Sequence, residues 1–336
     1  MTTVAFFNNK GGVGKTSLVY HLAWMYADLG LSVVAADLDP QANLTSMFLD
    51  EYEAEELWSP DPPRRTVHGA LMPLLGGTGD IASPAMANPR SPLGVLAGDL
   101  ALSGAEDEFS SQWPQCLDGS ERAFRVITAL SRVLSRARER AEADLVLIDV
   151  GPNLGAINRA ALIAADFVVT PLAPDLFSLQ GLRNLGPTLR DWRRQWQARL
   201  DRAKELASLG DVALPGGAMK PIGYVVLQHA VRLDRPVKAY ARWMEAIPGE
   251  YRGSVLDEPA AENKTASETD EHCLATLKHY RSLMPYAQEA RKPMFKLTAA
   301  DGALGGHVNA VQDCYWDFRA LACAVATRCG VRCPQL

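Results

Sequence analysis

The run Lys10-Gly11-Gly12-Val13-Gly14-Lys15-Thr16 brings two lysines, three glycines and a hydroxyl together in one short stretch. Glycines allow the backbone to turn so tightly that successive N–H groups converge on an anion, a lysine adds positive charge, and a threonine hydroxyl can join the shell of a divalent cation. On this reading the amides of Gly11, Gly12, Val13 and Gly14 cradle a β-phosphate. Lys15 bridges β- and γ-oxygens, Thr16 ligates Mg²⁺ and Ser17 completes the nucleotide-contacting run. A Gly-rich turn without a ligand is the plain alternative. The flanks argue against it, because Thr3 to Asn8 reads as a buried strand and Thr16 to Leu29 as a helix stopped by Gly30. Lys10 is a second lysine in the same loop, and its plain reading is a solvated loop residue.

Two further stretches carry carboxylates. Asp37-Leu38-Asp39-Pro40-Gln41 closes the apolar run Leu31 to Leu38, which places it at the C-terminal end of a second strand and beside the first loop in a parallel sheet. Residues i and i+2 of an extended chain share a side. One carboxylate could therefore face the metal's water shell while the other addresses an attacking water, and a helix N-cap role for Asp39 would coexist with that. Leu145-Val146-Leu147-Ile148 ending in Asp149 has the form of a buried strand whose terminal carboxylate holds Mg²⁺ through water.

The elements that must position these residues follow from the rest of the 336-residue chain. Strand, helix and strand in succession imply right-handed crossovers. Gly94 to Ala97, Phe167 to Pro171 and Ile222 to Leu227 extend the series. The fold class is therefore α/β: a mainly parallel, doubly wound P-loop sheet with helices on both faces, enlarged by insertions within a single domain over 1–336. The insertions fall at about 50–92, where Pro, Gly and acids suggest long loops, and at about 201–275, where 256–272 reads as a mobile polar loop. Glu121 to Ala141 has one helical period, and a C-terminal amphipathic helix is expected over about 308–327.

No apolar run reaches the ~18 residues of a membrane span, and the chain enters a strand at once without a leader, so a cytoplasmic protein with no membrane partner is expected. Six cysteines form no C-x-x-C pair and read as reduced, partly buried thiols. The formal charge of −5 excludes a general nucleic-acid coat and leaves only a local basic patch.

KGGVGKT with the additional Lys10 resembles the deviant Walker A loop of the ParA/MinD family. The resemblance continues through Asp37-Leu38-Asp39-Pro40-Gln41, Gly151-Pro152-Asn153-Leu154-Gly155 after Asp149, Leu93 to Ser103, Asp166 to Gly181 and Pro285 to Leu297. It implies ATP and Mg²⁺ as cofactors and an ATP-dependent homodimer, with Lys10 acting in trans, Lys15 in cis and Asp39 orienting water. Asp37 and Asp149 become metal-shell candidates. The segment opened by Pro285 would pack near the adenine, and Gln228 would stand in for the family's base-contacting asparagines. Where many members carry a proline, this chain has Gly151.

Within the family, the absence of cysteines between Cys116 and Cys273 disfavours an iron–sulfur reductase, and the C-terminus is unlike a basic membrane helix. Non-specific DNA binding remains. Pro187 would start a helix whose polar face carries Arg190, Arg193 and Arg194, with Arg232 and Arg235 as a second cluster; a solvated helix face explains these arginines equally well. The leading expectation is a dimerising ATPase that positions or partitions DNA or another cargo and is stimulated by a partner or cargo adaptor. Its rivals are a metabolic P-loop ligase or kinase, which would not need Lys10, and a regulatory or defence switch.

Overall fold

The computed structural model describes residues 2–60, 64–210, 212–227, 237–259, 267–280, 282–303 and 305–333. Gln228, Arg232 and Arg235 lie outside them. Eight strands form one sheet: β1 (Thr3–Phe6), β2 (Val33–Asp37), β3 (Ala87–Arg90), β4 (Leu93–Leu96), β5 (Leu145–Asp149), β6 (Phe167–Leu172), β7 (Lys220–Leu227) and β8 (Cys273–Leu277). Their spatial order is β3-β4-β2-β5-β1-β6-β7-β8, and every pairing is parallel except β3 with β4. Strands β1, β2 and β5 are buried along their whole length, as expected where helices cover both faces of a parallel sheet. Side chains alternate between the faces. Ala5, Val34, Ala36, Val146 and Ile148 enter one core, and Val4, Phe6, Val33, Ala35, Leu145 and Leu147 enter the other. The register Asp37↔Asp149 and Phe6↔Asp149 brings the ends of β1, β2 and β5 level, which gathers their loops at one edge. β5 lies between β1 and β2, so the loop after β2 is not the immediate neighbour of the glycine loop as its sequence position suggests.

The helices are α1 (Lys15–Asp28), α2 (Asn43–Phe48), α3 (Glu51–Trp58), α4 (Val67–Leu75), α5 (Glu106–Gln115), α6 (Glu121–Ile127), α7 (Ala129–Ala141), α8 (Ala156–Ile163), α9 (Leu176–Ala203), α10 (Val237–Glu250), α11 (Met284–Ala290) and α12 (Gly306–Arg328). Several depart from the sequence reading. The stretch 50–92 holds α3, α4 and β3 instead of long loops. α3 starts in a reciprocal capping box between Asp50 and Glu53, and α4 starts at Thr66, whose hydroxyl accepts from Gly69 N at 3.1 Å. Caps hold these short helices although the composition is turn-like.

The period over Glu121 to Ala141 divides at Thr128, whose hydroxyl donates to Phe124 O at 2.7 Å, and α6 ends there. Pro187 does not begin a helix. α9 begins at Asp175, which accepts from Ser178 N at 2.9 Å, and passes through Pro187. Next to it, Gly186 is packed so closely on the Ser254 carbonyl that a Cβ would collide with it. Tertiary contact thus offsets the hydrogen bond that proline cannot make.

Within 256–272, Asp270 is pinned: it accepts from Tyr224 Oη at 2.7 Å and Arg252 Nη2 at 2.8 Å. Cys323 and Cys333 form a disulfide, against the expectation of thiols only, because Gly330 in the left-handed region (φ 72°) turns the tail back along α12. Cys116, Cys273, Cys314 and Cys329 are free.

α1 follows the glycine loop and is clamped between the sheet and α12. Tyr26 Oη donates to Ala322 O at 2.9 Å, and His21 stacks on Phe318 at 4.8 Å. His21 is fully buried between fixed partners: Nδ1 lies 2.7 Å from Ser17 O and must donate, while Nε2 must accept from Met294 N at 3.2 Å. A second ring proton would oppose the Met294 amide. Burial lowers the His21 pKa from 6.5 to about 4, outweighing the Ser17 carbonyl, which raises it. The unfolded chain takes up this proton near 6.5 and the folded chain only near 4, so this contribution is complete above pH 6.5 and is lost as pH falls. Between pH 7 and 5 the loss is about 2 kcal/mol. Urea unfolding of His21→Gln should therefore show a pH dependence shallower than wild type by that amount.

Candidate functional site

The glycine loop opens onto the C-terminal edge of the sheet from the end of β1. Gly12 and Gly14 take left-handed φ values of 71° and 78°, which a residue with a side chain adopts only under strain. Gly14 is additionally confined, since a Cβ there would lie 2.7 Å from Leu227 Cδ1. Gly14 also caps α1, so the loop presents its amides where the helix's own unpaired N–H groups begin. Val13 is buried beneath the loop, whereas Gly11 and Gly12 are exposed.

Lys15 folds back under this loop, buried, with Nζ 3.4 Å from Lys10 O. Burial lowers its pKa, while the carboxylates of Asp149 and Asp39 pull the other way. Lys10 stands at the rim. Its ammonium pairs with Asp175, the cap of α9, and lies 5.9 Å from the centre of the Phe177 ring. Asp175 was not a sequence candidate; the Asp-x-x-Ser spacing of a helix start was the available signal.

The three acids differ sharply. Asp149 is completely buried and neither of its oxygens has a hydrogen-bond partner of good geometry, although the Thr16 hydroxyl lies beside it. Burial raises its pKa well above the usual value, Asp37 adds to this, and Thr16 and Lys15 offset only part. Two orphaned oxygens next to a threonine hydroxyl fit a hydrated divalent cation, which satisfies such groups.

Asp37 is equally buried but occupied. Its Oδ2 accepts from Thr45 N at 2.8 Å and Thr45 Oγ1 at 2.7 Å, and Asp39 N approaches Oδ1 at 3.3 Å. Burial pushes it up to about 7 against those bonds. It ties β2 to α2, leaving little capacity for a metal shell. Asp39 does not cap α2, whose cap is Ala42; its Oδ1 instead accepts from Gln41 N at 3.0 Å within the turn. It faces Gly151, where a Cβ would lie 3.3 Å from Asp39 Oδ1, so the loop after β5 and the loop after β2 meet at this carboxylate.

On the α1 side of the cradle lies a cleft of about 140 Å³ lined by Gly14, Ser17, Leu227, Tyr280, Met284, Met294 and Phe318 among others. Its walls are mostly apolar, suited to a flat base. Met294, within the segment anticipated to approach the base, and Met284, just before it, line the cleft, while Pro285 itself does not. Tyr280 and Phe318 carried no sequence motif; only folding brings them here.

The basic helix face is less free than its spacing suggests. Arg190 donates to Ser254 O at 2.8 Å and approaches Asp257 at 3.5 Å, so it is a tie to the turn after α10. Arg193 is half-buried, with its pKa lowered by that burial and by Arg190. Arg194 is 81% exposed and pairs with Asp191. No helix of the described residues is long and apolar enough to cross a membrane.

A glycine loop between a central parallel strand and a clamped helix, with a buried lysine beneath it and an unpartnered carboxylate on the adjacent strand, defines a P-loop nucleotide-binding α/β protein. Known proteins agree. A family profile described as an AAA domain matches residues 1–202. IncC of Escherichia coli is 29% identical over 261 residues, 76% of this chain and 61% of IncC. The chromosome partitioning protein ParA of Caulobacter vibrioides is 30% identical over 202 residues, 60% of this chain and 67% of ParA. The chain thus spans less than two thirds of IncC. Among solved structures, a Corynebacterium diphtheriae protein matches with a TM-score of 0.71 at 25% identity, covering 98% of both chains. Cyanothece apo McdA shares the fold at a TM-score of 0.57 and 17% identity, covering 96% of this chain and 99% of McdA. The chain belongs to the ParA/MinD family of deviant Walker A ATPases.

The buried, unpartnered Asp149 is a stability cost that a cation would relieve. Asp149→Asn should raise the melting temperature of the nucleotide-free protein by a few degrees, since removing the charge outweighs the loss of attraction to Lys15, and should abolish any Mg²⁺ dependence of ATP affinity. Thermal melts and nucleotide titrations with and without Mg²⁺ measure both effects.

Proposed function

We propose that this protein is an ATP-dependent dimerising ATPase that positions or partitions DNA or another cargo, hydrolysing ATP slowly until a partner or cargo adaptor stimulates it. The observation that carries this reading is the division of labour between two lysines of one loop. Lys15 is buried under the cradle, where it can serve only its own nucleotide. Lys10 is held at the rim by Asp175, 25% exposed and free to exchange one carboxylate for an anion outside its own cradle. A cation offered outward makes γ-phosphate charge the bond between two copies. The partition roles of the relatives support the same reading.

In this mechanism the amides of Gly11 to Gly14 and the Lys15 ammonium hold the phosphates, and Ser17 and the cleft beside it receive the nucleoside. Thr16 and Asp149 would hold Mg²⁺, with Asp37 supporting the strand end; the ion supplies charge neutralisation on the phosphate oxygens. Asp39 orients the attacking water, and the Gly151 loop against it senses whether that place is filled. Each copy of α9 contributes Arg193 and Arg194 to a DNA surface, with Arg232 and Arg235 as further candidates and Arg190 bracing the helix. One such patch is weak in a net-negative protein, and pairing two raises avidity by about 10²-fold when both engage.

Light scattering should show a monomer without nucleotide and with ADP, and a dimer with ATP and Mg²⁺. Lys15→Ala should lose nucleotide binding, while Lys10→Ala should keep it and lose the dimer. Asp39→Ala should lower turnover by about tenfold or more and accumulate the dimer. Random duplex DNA should shift only with the ATP-bound protein, and Arg193→Glu/Arg194→Glu should abolish the shift. One mass under all nucleotide conditions refutes the dimer switch, and equal DNA binding in all of them refutes its coupling to nucleotide.

A further inference from the structure

The loop that meets Asp39 is fastened at its far end by a residue to which no role has yet been given. α8 starts directly after Gly155, which offers no side chain to cap it. The orphan amides of its first turn are instead satisfied from α5. Ala156 N donates to Glu106 Oε1 at 2.5 Å, and Ile157 N donates to Glu106 Oε2 at 3.0 Å. Both oxygens of one carboxylate are thus spent on a helix N-terminus, where charge-assisted bonds and the helix dipole act together.

A side chain at Gly155 would displace neighbouring side chains and would not strain the backbone. Its φ is −74°, yet a Cβ would lie 2.6 Å from Glu106 Oε1 and 2.8 Å from Asn153 Oδ1. The loop's inner end is held by Asn158, itself buried, whose Nδ2 lies 2.9 Å from Gly151 O, 2.8 Å from Asn153 O and 3.0 Å from Asn153 Oδ1. Asn153 Oδ1 also accepts from Gly155 N at 2.9 Å. Residues 151–155 are therefore held by Asn158 at the end that faces Asp39 and by Glu106 just beyond the other end.

α5 is itself immobilised against its neighbours. The ring of Trp113 carries the guanidinium groups of Arg159 on α8 and Arg199 on α9, at 4.1 and 3.8 Å from its centre, and its indole N–H donates to Gln195 at 2.9 Å. Glu106 consequently reaches α8 from a rigid base.

We infer that Glu106 is a positioning residue for ATP hydrolysis: by holding the N-terminus of α8 it sets where the 151–155 loop stands against Asp39, and so where the attacking water is held. The inference rests on the ATPase reading above. It assigns Glu106 no contact with nucleotide, so its loss should act on turnover and not on binding, since small misplacements of a reacting group cost far more than they do for affinity.

Three variants test this. Glu106→Ala removes both acceptors. Glu106→Gln keeps the shape and one acceptor but turns an amide N–H₂ toward the second amide. Gly155→Ala leaves Glu106 in place and expels its carboxylate. In nucleotide-free protein, hydrogen exchange over residues 151–157 should quicken about tenfold or more in Glu106→Ala and Gly155→Ala, and by less in Glu106→Gln. The kcat for ATP should fall between about tenfold and a hundredfold with KM within about twofold, and Gly155→Ala combined with Glu106→Ala should be no worse than either alone. Unchanged exchange overturns the inference. So does a KM that rises while kcat holds, or a double variant in which the two losses multiply, since multiplied losses would mean that the two residues act independently. A wild type that binds ATP without hydrolysing it would refute the ATPase reading and with it the catalytic half of this proposal, while the exchange measurement would still decide whether Glu106 holds the loop.

Discussion

Three carboxylates and one ammonium share the buried end of β1, β2 and β5, and their imbalance is the constraint on which this molecule is built. Asp37, Asp39 and Asp149 are all less than a tenth exposed, and Lys15 is the cation buried among them. A parallel sheet puts them there because the strands end level, and every strand that ends in this layer contributes whatever follows its last apolar residue. Each acid escapes the cost of burial differently. Asp37 is bonded by Thr45 and Asp39 by its own turn, whereas Asp149 has only the Thr16 hydroxyl beside it and Lys15 nearby, so burial still holds its pKa well above the usual value. A cation placed beside Asp149 would relieve that cost.

The glycines around this layer do three separate jobs. Gly12 and Gly14 supply left-handed backbone for the cradle, Gly151 makes room for Asp39, and Gly155 makes room for Glu106. Only the first is conformational in origin; the other two are spaces reserved for a carboxylate. The loop between these two glycines is held by Asn158 at one end, and the helix after it is capped by Glu106. Lys10 at the rim is paired with Asp175, the cap of α9.

α9 links this edge to the rest of the molecule. Its cap holds Lys10, its middle passes Pro187 over the turn at Ser254, and its later turns grip Trp113 through Gln195 and Arg199. The arginines first read as one exposed patch are divided by that packing. Arg190 serves the interior turn, Arg193 is half-covered, and Arg194 remains in solvent. Helical spacing put Arg190 and Arg194 on one face with Arg193 flanking. It could not reveal that a second segment packs along part of that side.

The sequence by itself determined the chemistry and the order of the parts. Apolar runs ending in Asp37 and Asp149, a glycine loop between strand and helix, and a surplus lysine are local patterns whose physics is complete within a few residues, so strands, α1, the cradle and the family were legible from them. What local patterns could not determine was anything settled by capping, covering or long-range pairing. α3 and α4 were hidden because side-chain caps outweigh a turn-like composition. The break at Thr128 and the continuity through Pro187 depend on which neighbours accept or replace a backbone hydrogen bond. The disulfide depends on a turn that returns the tail to its helix. Above all, two aspartates of identical type at the ends of equivalent strands read alike in sequence. Only the tertiary structure decided that Thr45 bonds Asp37 while neither oxygen of Asp149 has a hydrogen-bond partner of good geometry, because burial is common to both and the presence of a partner is a property of the fold.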